Sequence, residues 1–204
     1  MRIVLLATAL AATTALATPA FAQDSDPSFT GPRVEGIAGW DRVDDGANSG
    51  TKATDGVVYG GAVGYDFQVG GAVLGIEGEV TGATTKDETT GLVTAGDNYR
   101  VSAGRDLYAG VRAGFLVGPR TLLYAKGGYT NARINTRYTL GATTTEAHDD
   151  AEGWRAGAGA EFLVSNNVYV KGEYRYSNYS NIDGTNVDID LDRHQVVAGV
   201  GFRF

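Results

Sequence analysis

The chain has 204 residues, 30 glycines, 11 tyrosines, no cysteine and a formal net charge of −7. Without cysteine there is neither a disulfide framework nor a lipid-modified amino-terminal cysteine, and the acidic balance disfavours a nucleic-acid partner. Abundant Gly and Tyr with no long helical pattern imply many strands and turns in one domain.

The first stretch, MRIVLLATALAATTALATPAFAQDS, has a basic Arg2, an apolar run over residues 3–16 and the small-x-small triplet Ala20-Phe21-Ala22. This is the pattern of a secretory signal peptide, and the run falls short of the roughly 20 residues of a spanning helix. Cleavage is expected after Ala22, so residues 1–22 read as signal and 23–31 as a short periplasmic segment ahead of the main domain. Residues 32–204 then alternate with period two in eight segments: 33–41, 57–67, 72–81, 99–117, 121–131, 153–164, 168–178 and 193–204. Most reach the roughly 9 to 11 residues that a tilted strand needs to cross a bilayer.

The connections alternate in length. QVGG (68–71), GPR (118–120) and SNN (165–167) are tight, whereas 42–56, 82–98, 132–152 and 179–192 are long and polar. Short turns in the periplasm and long loops outside the cell are the asymmetry of a membrane β-meander. The downward strands share a weak repeat, GGAVGYDFQV, GVRAGFLVG, GAGAEFLV and GVGFRF, so the chain reads as four hairpins in a ring. The predicted fold is all-β, an eight-stranded antiparallel up-and-down transmembrane barrel.

The two faces of the strands differ in kind. One parity carries Val34, Val63, Leu74, Ile76, Val80, Leu107, Val111, Leu123, Val170 and Val200, without charge; the other carries Glu35, Asp66, Glu77, Glu79, Glu161 and Glu173 against Arg112, Lys126, Arg155, Lys171, Arg175 and Arg203. Put the apolar parity outward and the charges form a lumen network that must be internally paired. Glu161 is expected to meet an inward base on a neighbouring strand, with Lys171 favoured across the SNN turn and Arg203, Lys126 and Arg112 as alternatives. Outward Phe67, Phe115, Phe162, Phe202 and Phe204 gather at the short-turn end, and Trp40, Tyr129, Trp154 and Tyr176 at the long-loop end, as two aromatic girdles.

DLYAGVRAGFLVGPRTLLYAKGGYTNARI, GWRAGAGAEFLVSNNVYVKGEYRYSNYS and the ending RHQVVAGVGFRF resemble the small eight-stranded outer-membrane barrels of the OmpA-like and opacity-protein type, especially the porin-family surface proteins of alphaproteobacteria. The resemblance covers nearly the whole mature chain. It implies a bacterial outer-membrane location and contact with outer-membrane lipid and lipopolysaccharide. It also implies an assembly signal at Phe204, with Phe202 and Val200 behind it, read by the barrel-assembly machinery. Against the larger OmpA pattern, a peptidoglycan-binding domain after Phe204 and a tether to the cell wall are not expected.

Catalysis, a metal and a cofactor are not expected. His148 lies in the acidic stretch EAHDD and reads as a loop histidine, and His194 reads as an interfacial one; neither has a nucleophile beside it in sequence. NIDGTNVDIDLD lacks the ligand spacing of a calcium loop. Val187, Ile189 and Leu191 take the parity opposite to the apolar face of the strand below, and a bulge near Arg193 is a way to reset the register. The expected function is a structural, surface-exposed barrel acting as a monomer, its lumen filled by paired charges; a small-solute channel comes second, suggested by inward glycines, and a lipid-modifying enzyme third.

Overall fold

The computed structural model describes residues 28–45, 54–84, 86–90, 97–140, 143–182 and 191–204. The expectations for a signal at residues 1–22 and for the alternation of Val187 and Ile189 lie outside the described residues. The strands are β1 (Gly31–Asp45), β2 (Thr54–Val69), β3 (Ala72–Ala83), β4 (Lys86–Thr90), β5 (Asp97–Leu116), β6 (Thr121–Leu140), β7 (Thr143–Leu163), β8 (Val168–Ile182) and β9 (Leu191–Arg203).

Their order is β3-β2-β1-β9-β8-β7-β6-β5-β4, and β3 also pairs with β5, which closes the sheet on itself. Because β3 and β4 pair with successive stretches of β5, the nine segments make eight staves of an antiparallel barrel. Closure removes the edges that an open sheet would expose to lipid.

At the short-turn end, called lower here, Gly70 (φ 58°) and Gly118 (φ 82°) take the left-handed conformation that lets two neighbouring staves reverse within a few residues. At the upper end the strands outrun the sequence expectation. Residues 132–152, expected as a loop, are mostly ladder: β6 and β7 pair from Thr121↔Phe162 to Leu140↔Thr143. An ion pair spans the two strands in this extension, Arg133 with Asp150 at 2.9 Å. His148 therefore sits in a strand and not in a loop.

The register shifts lie between Ala103 and Asp106 on β5, and beside Glu152 and Gly153 on β7. The expected bulge near Arg193 is not there: β9 pairs without a break from Leu191 to Phe202 against β8. None is needed, since Asp192 already points the same way as His194 while Arg193 turns inward.

Alternation then sorts the side chains. On β8, Lys171, Glu173, Arg175 and Ser177 are buried, whereas Val170, Gly172 and Tyr174 are exposed. The usual arrangement of a soluble protein is inverted, with charge inside and apolar groups outside.

Candidate functional site

Buried charged side chains converge in the lumen. Among the described residues eight acids (Glu35, Asp41, Asp66, Glu77, Glu79, Asp106, Glu161, Glu173) and eight bases (Arg33, Arg112, Lys126, Arg155, Lys171, Arg175, Arg193, Arg203) are buried. The lumen is formally neutral. Of the 24 acids and 17 bases in the chain, this leaves 16 and 9 elsewhere, so the net negative charge belongs to the rest of the molecule.

Ion pairs join all sixteen into one column. At its foot Asp66 forms an ion pair with Arg33 (3.2 Å) and accepts from Arg203 (2.7 Å) and the Arg112 Nε (2.8 Å), and Glu161 faces Arg112 (3.1 Å) and Arg203 (3.0 Å). Glu35 takes Lys171, Arg33 at 3.3 Å and the Tyr169 hydroxyl at 2.8 Å. At mid-height Lys126 bridges Glu77 (2.6 Å) and Glu173 (2.8 Å), while Arg33 also reaches Glu77. Glu173 holds Arg175 and accepts from the Tyr124 hydroxyl at 2.6 Å.

Glu79 pairs with Arg175 (2.5 Å) and Arg155 (3.2 Å). Above it Asp106 gathers Arg155 (2.5 Å), Arg193 (3.0 Å), the Thr130 hydroxyl (2.7 Å) and the Tyr179 hydroxyl (3.0 Å). Asp41 closes the top with Arg193 at 2.6 Å and Gln195 at 3.0 Å. Sharing each carboxylate among several donors offsets the desolvation that an isolated buried pair would suffer.

All twelve charges expected in the lumen are buried there. The favoured partner of Glu161 is corrected. Glu161 does stand opposite Lys171 in the β7–β8 register, but its carboxylate goes to Arg112 and Arg203, and Lys171 goes to Glu35 and Glu173. The reason is Gly199, the β9 neighbour of Lys171: its missing side chain leaves the space that the lysine stem crosses toward β1, at 3.1 Å from where a Cβ would be.

Other inward glycines are covered in the same way, Gly64 by Arg33, Gly159 by Tyr124 and Gly201 by Tyr169. The sequence reading left out Arg33, Asp41, Asp106 and Arg193, although each shares parity with a charge it included. It also left out the tyrosines that brace the column, with Lys126 lying 4.8 Å and Arg155 5.3 Å from the Tyr108 ring centre.

On the outside, Phe67, Phe115, Phe162, Phe202 and Phe204 ring the lower end and Trp40, Tyr129 and Trp154 the upper end, all exposed, with Tyr176 half-buried. Tyr176 packs between Trp154 (5.3 Å) and His194 (5.2 Å), and the Tyr174 hydroxyl meets His194 Nδ1 at 2.7 Å. Above this cluster, hydrogen bonds from Tyr176 and Asn178 hold the Asp192 carboxyl below its usual range. Val200, Phe202 and Phe204 point outward on the last strand, the two phenyl rings 4.9 Å apart and edge to face. Among the described residues no group of three His, Asp or Glu side chains is placed to hold a metal.

A closed antiparallel barrel whose outer face carries no charge between two aromatic girdles, and whose polar groups are turned inward, is an integral membrane β-barrel. The chain belongs to the family described as "Outer membrane protein beta-barrel domain", which matches residues 8–204. It is similar to the 31 kDa outer-membrane immunogenic protein of Brucella melitensis biotype 1, 28% identical over 164 residues, 73% of this chain and 67% of that one. It is also similar to the 22 kDa outer membrane protein of Rhizobium leguminosarum bv. viciae, 27% identical with 87% and 79% covered. Among solved structures the neisserial surface protein A shares the fold, at a TM-score of 0.57 and 15% identity over 86% of this chain and 98% of the other. The protein is thus an outer-membrane barrel of a Gram-negative bacterium, as the resemblance implied.

Proposed function

We propose that this barrel is a structural, surface-presenting protein without catalytic activity, acting as a monomer, whose lumen is closed by its own ion-pair column. The carrying observation is that all sixteen lumen charges pair with one another and that side chains lean into the space beside the inward glycines. An eight-stranded interior is just wide enough for side chains to fill or for one small ligand to enter, and here the ion-pair column occupies it. The strand extensions of β5, β6 and β7 above the upper girdle give it a surface to present, and the name "immunogenic" of the Brucella relatives supports that reading. Its partners are outer-membrane lipid, lipopolysaccharide and, during biogenesis, the assembly machinery.

A second reading, a small-solute channel, draws on buried polar atoms that have no protein hydrogen-bond partner, among them Glu79 Oε2, Thr81 Oγ1, the Tyr108 hydroxyl and Arg175 Nη2. Such atoms call for water, and a thread of water is what conduction needs. Planar-bilayer recording separates the two. A silent wild type is expected; steady unitary currents that change when Arg112 or Glu161 is replaced would overturn the closed reading.

The assembly signal carried by Val200, Phe202 and Phe204 has its own test. Phe204→Ala removes one exposed ring, worth at most about 3 kcal/mol of burial, yet is expected to lower outer-membrane assembly severely. A variant that reaches the membrane at wild-type level refutes the assignment.

A further inference from the structure

Beneath the charge column the lumen changes character. Val73, Leu122, Leu163 and Tyr169, inward residues at the lower ends of β3, β6, β7 and β8, form an apolar cluster with Phe29. Phe29 precedes β1, outside the barrel wall in sequence, yet it is 0% exposed. A side chain on a short pre-strand segment has no need to be so completely covered unless something holds it.

Two interactions hold it. The Phe29 amide donates to Gln68 Oε1 at 2.9 Å, and the Gln68 amide donates in return to Thr30 Oγ1 at 3.0 Å, which ties the segment to the end of β2. From above, the Arg203 guanidinium lies 5.1 Å from the Phe29 ring centre and 5.3 Å from that of Tyr169, so the charge column ends in a cation resting on aromatic faces.

We propose that Phe29 is an intramolecular stopper: its ring fills a pre-shaped aromatic-binding pocket at the lower mouth of the barrel, and that pocket accepts a small free aromatic molecule when the ring is removed. The wall supplies apolar contacts on the sides and a guanidinium over the face, the chemistry that selects a planar π-system over an aliphatic chain. A site vacated by one ring keeps the shape of that ring and takes up a molecule that matches it.

The inference goes beyond the closed-column reading and does not depend on it. Wild-type currents in a bilayer would sink that reading, whereas the floor has its own readout. Because the chain has no cysteine, a single Val73→Cys thiol reports on the floor alone. In detergent-folded protein this thiol is expected to react slowly with a water-soluble thiol reagent, and Phe29→Ala in the same background is expected to raise the rate at least tenfold. Benzene is expected to slow labelling of the double variant back toward the Phe29 rate and to raise its thermal midpoint, with neither effect when Phe29 is present.

Phe29→Leu, which fills the pocket incompletely and keeps an apolar floor, is expected to fall between the two and serves if Phe29→Ala does not fold. Equal labelling rates with and without Phe29 would show that it stoppers nothing. Opening without any benzene effect would show that the pocket is not an aromatic site. Either result overturns the proposal.

Discussion

Two arginine–aspartate pairs, one reaching across β6 from β7 to β5 and one joining β6 to β7, place the same chemistry in different surroundings. Arg155 and Asp106 meet at 2.5 Å inside the barrel with side chains 0% and 2% exposed; Arg133 and Asp150 meet at 2.9 Å on the upper extension with side chains 38% and 33% exposed. The distances are alike and the demands are not. Inside, neither ion can return to water, so Asp106 must also satisfy Arg193, Thr130 and Tyr179. Outside, water competes for both partners and salt screens them, so the pair aligns two strands without carrying the fold.

The largest effect is expected inside. Asp106→Asn leaves two buried guanidinium groups short of a counter-charge and should cost about 3–5 kcal/mol of unfolding free energy in urea. A loss no larger than that of a surface substitution would mean that the lumen is wet enough to solvate arginine. Next in size is the coupling within the foot of the column. A double-mutant cycle on Glu161 and Arg112 should show an interaction of about 1–3 kcal/mol, while the cycle on Glu161 and Lys171, opposite in register but bonded to different partners, should show a clearly smaller one. The reverse pattern would restore the pairing expected from the turn. Arg133→Ala should give the smallest change of the three, shrinking further as ionic strength rises; a salt-insensitive loss would show that this pair is not the solvated one.

Which face of each strand points inward was legible because period-two alternation converts directly into inside and outside. That is why Glu35 and Arg203, far apart in sequence, could be assigned to one lumen. Asp106 was legible in principle, since it shares parity with Arg112, but it lies just below the register shift on β5, at the margin where alternation fades. The upper extensions of β6 and β7 were not legible as strands: the stretch from Thr143 to Asp150 is polar on both parities but for Ala147, so β7 has no apolar side there for a pattern to reveal. The choice of Glu35 over Glu161 by Lys171 depends on the empty space at Gly199, two strands' width of geometry that no spacing along the chain encodes.

The seam between β1 and β9 has a kinetic consequence. The described hairpin seams join strands that follow one another along the chain, whereas this one joins its first strand to its last, with Arg33 opposite Arg203. Three lumen pairs draw this part of the wall together from inside: Asp41 to Arg193, Glu35 to Lys171 and Asp66 to Arg203, separated by 152, 136 and 137 residues. Contacts of such span form late, because the chain between them must already be ordered before they can meet. They therefore act as a latch on the finished ring and not as a guide to making it. Weakening one, as in Asp41→Asn, should speed unfolding and leave refolding nearly unchanged, a division that rate measurements across a urea series read directly.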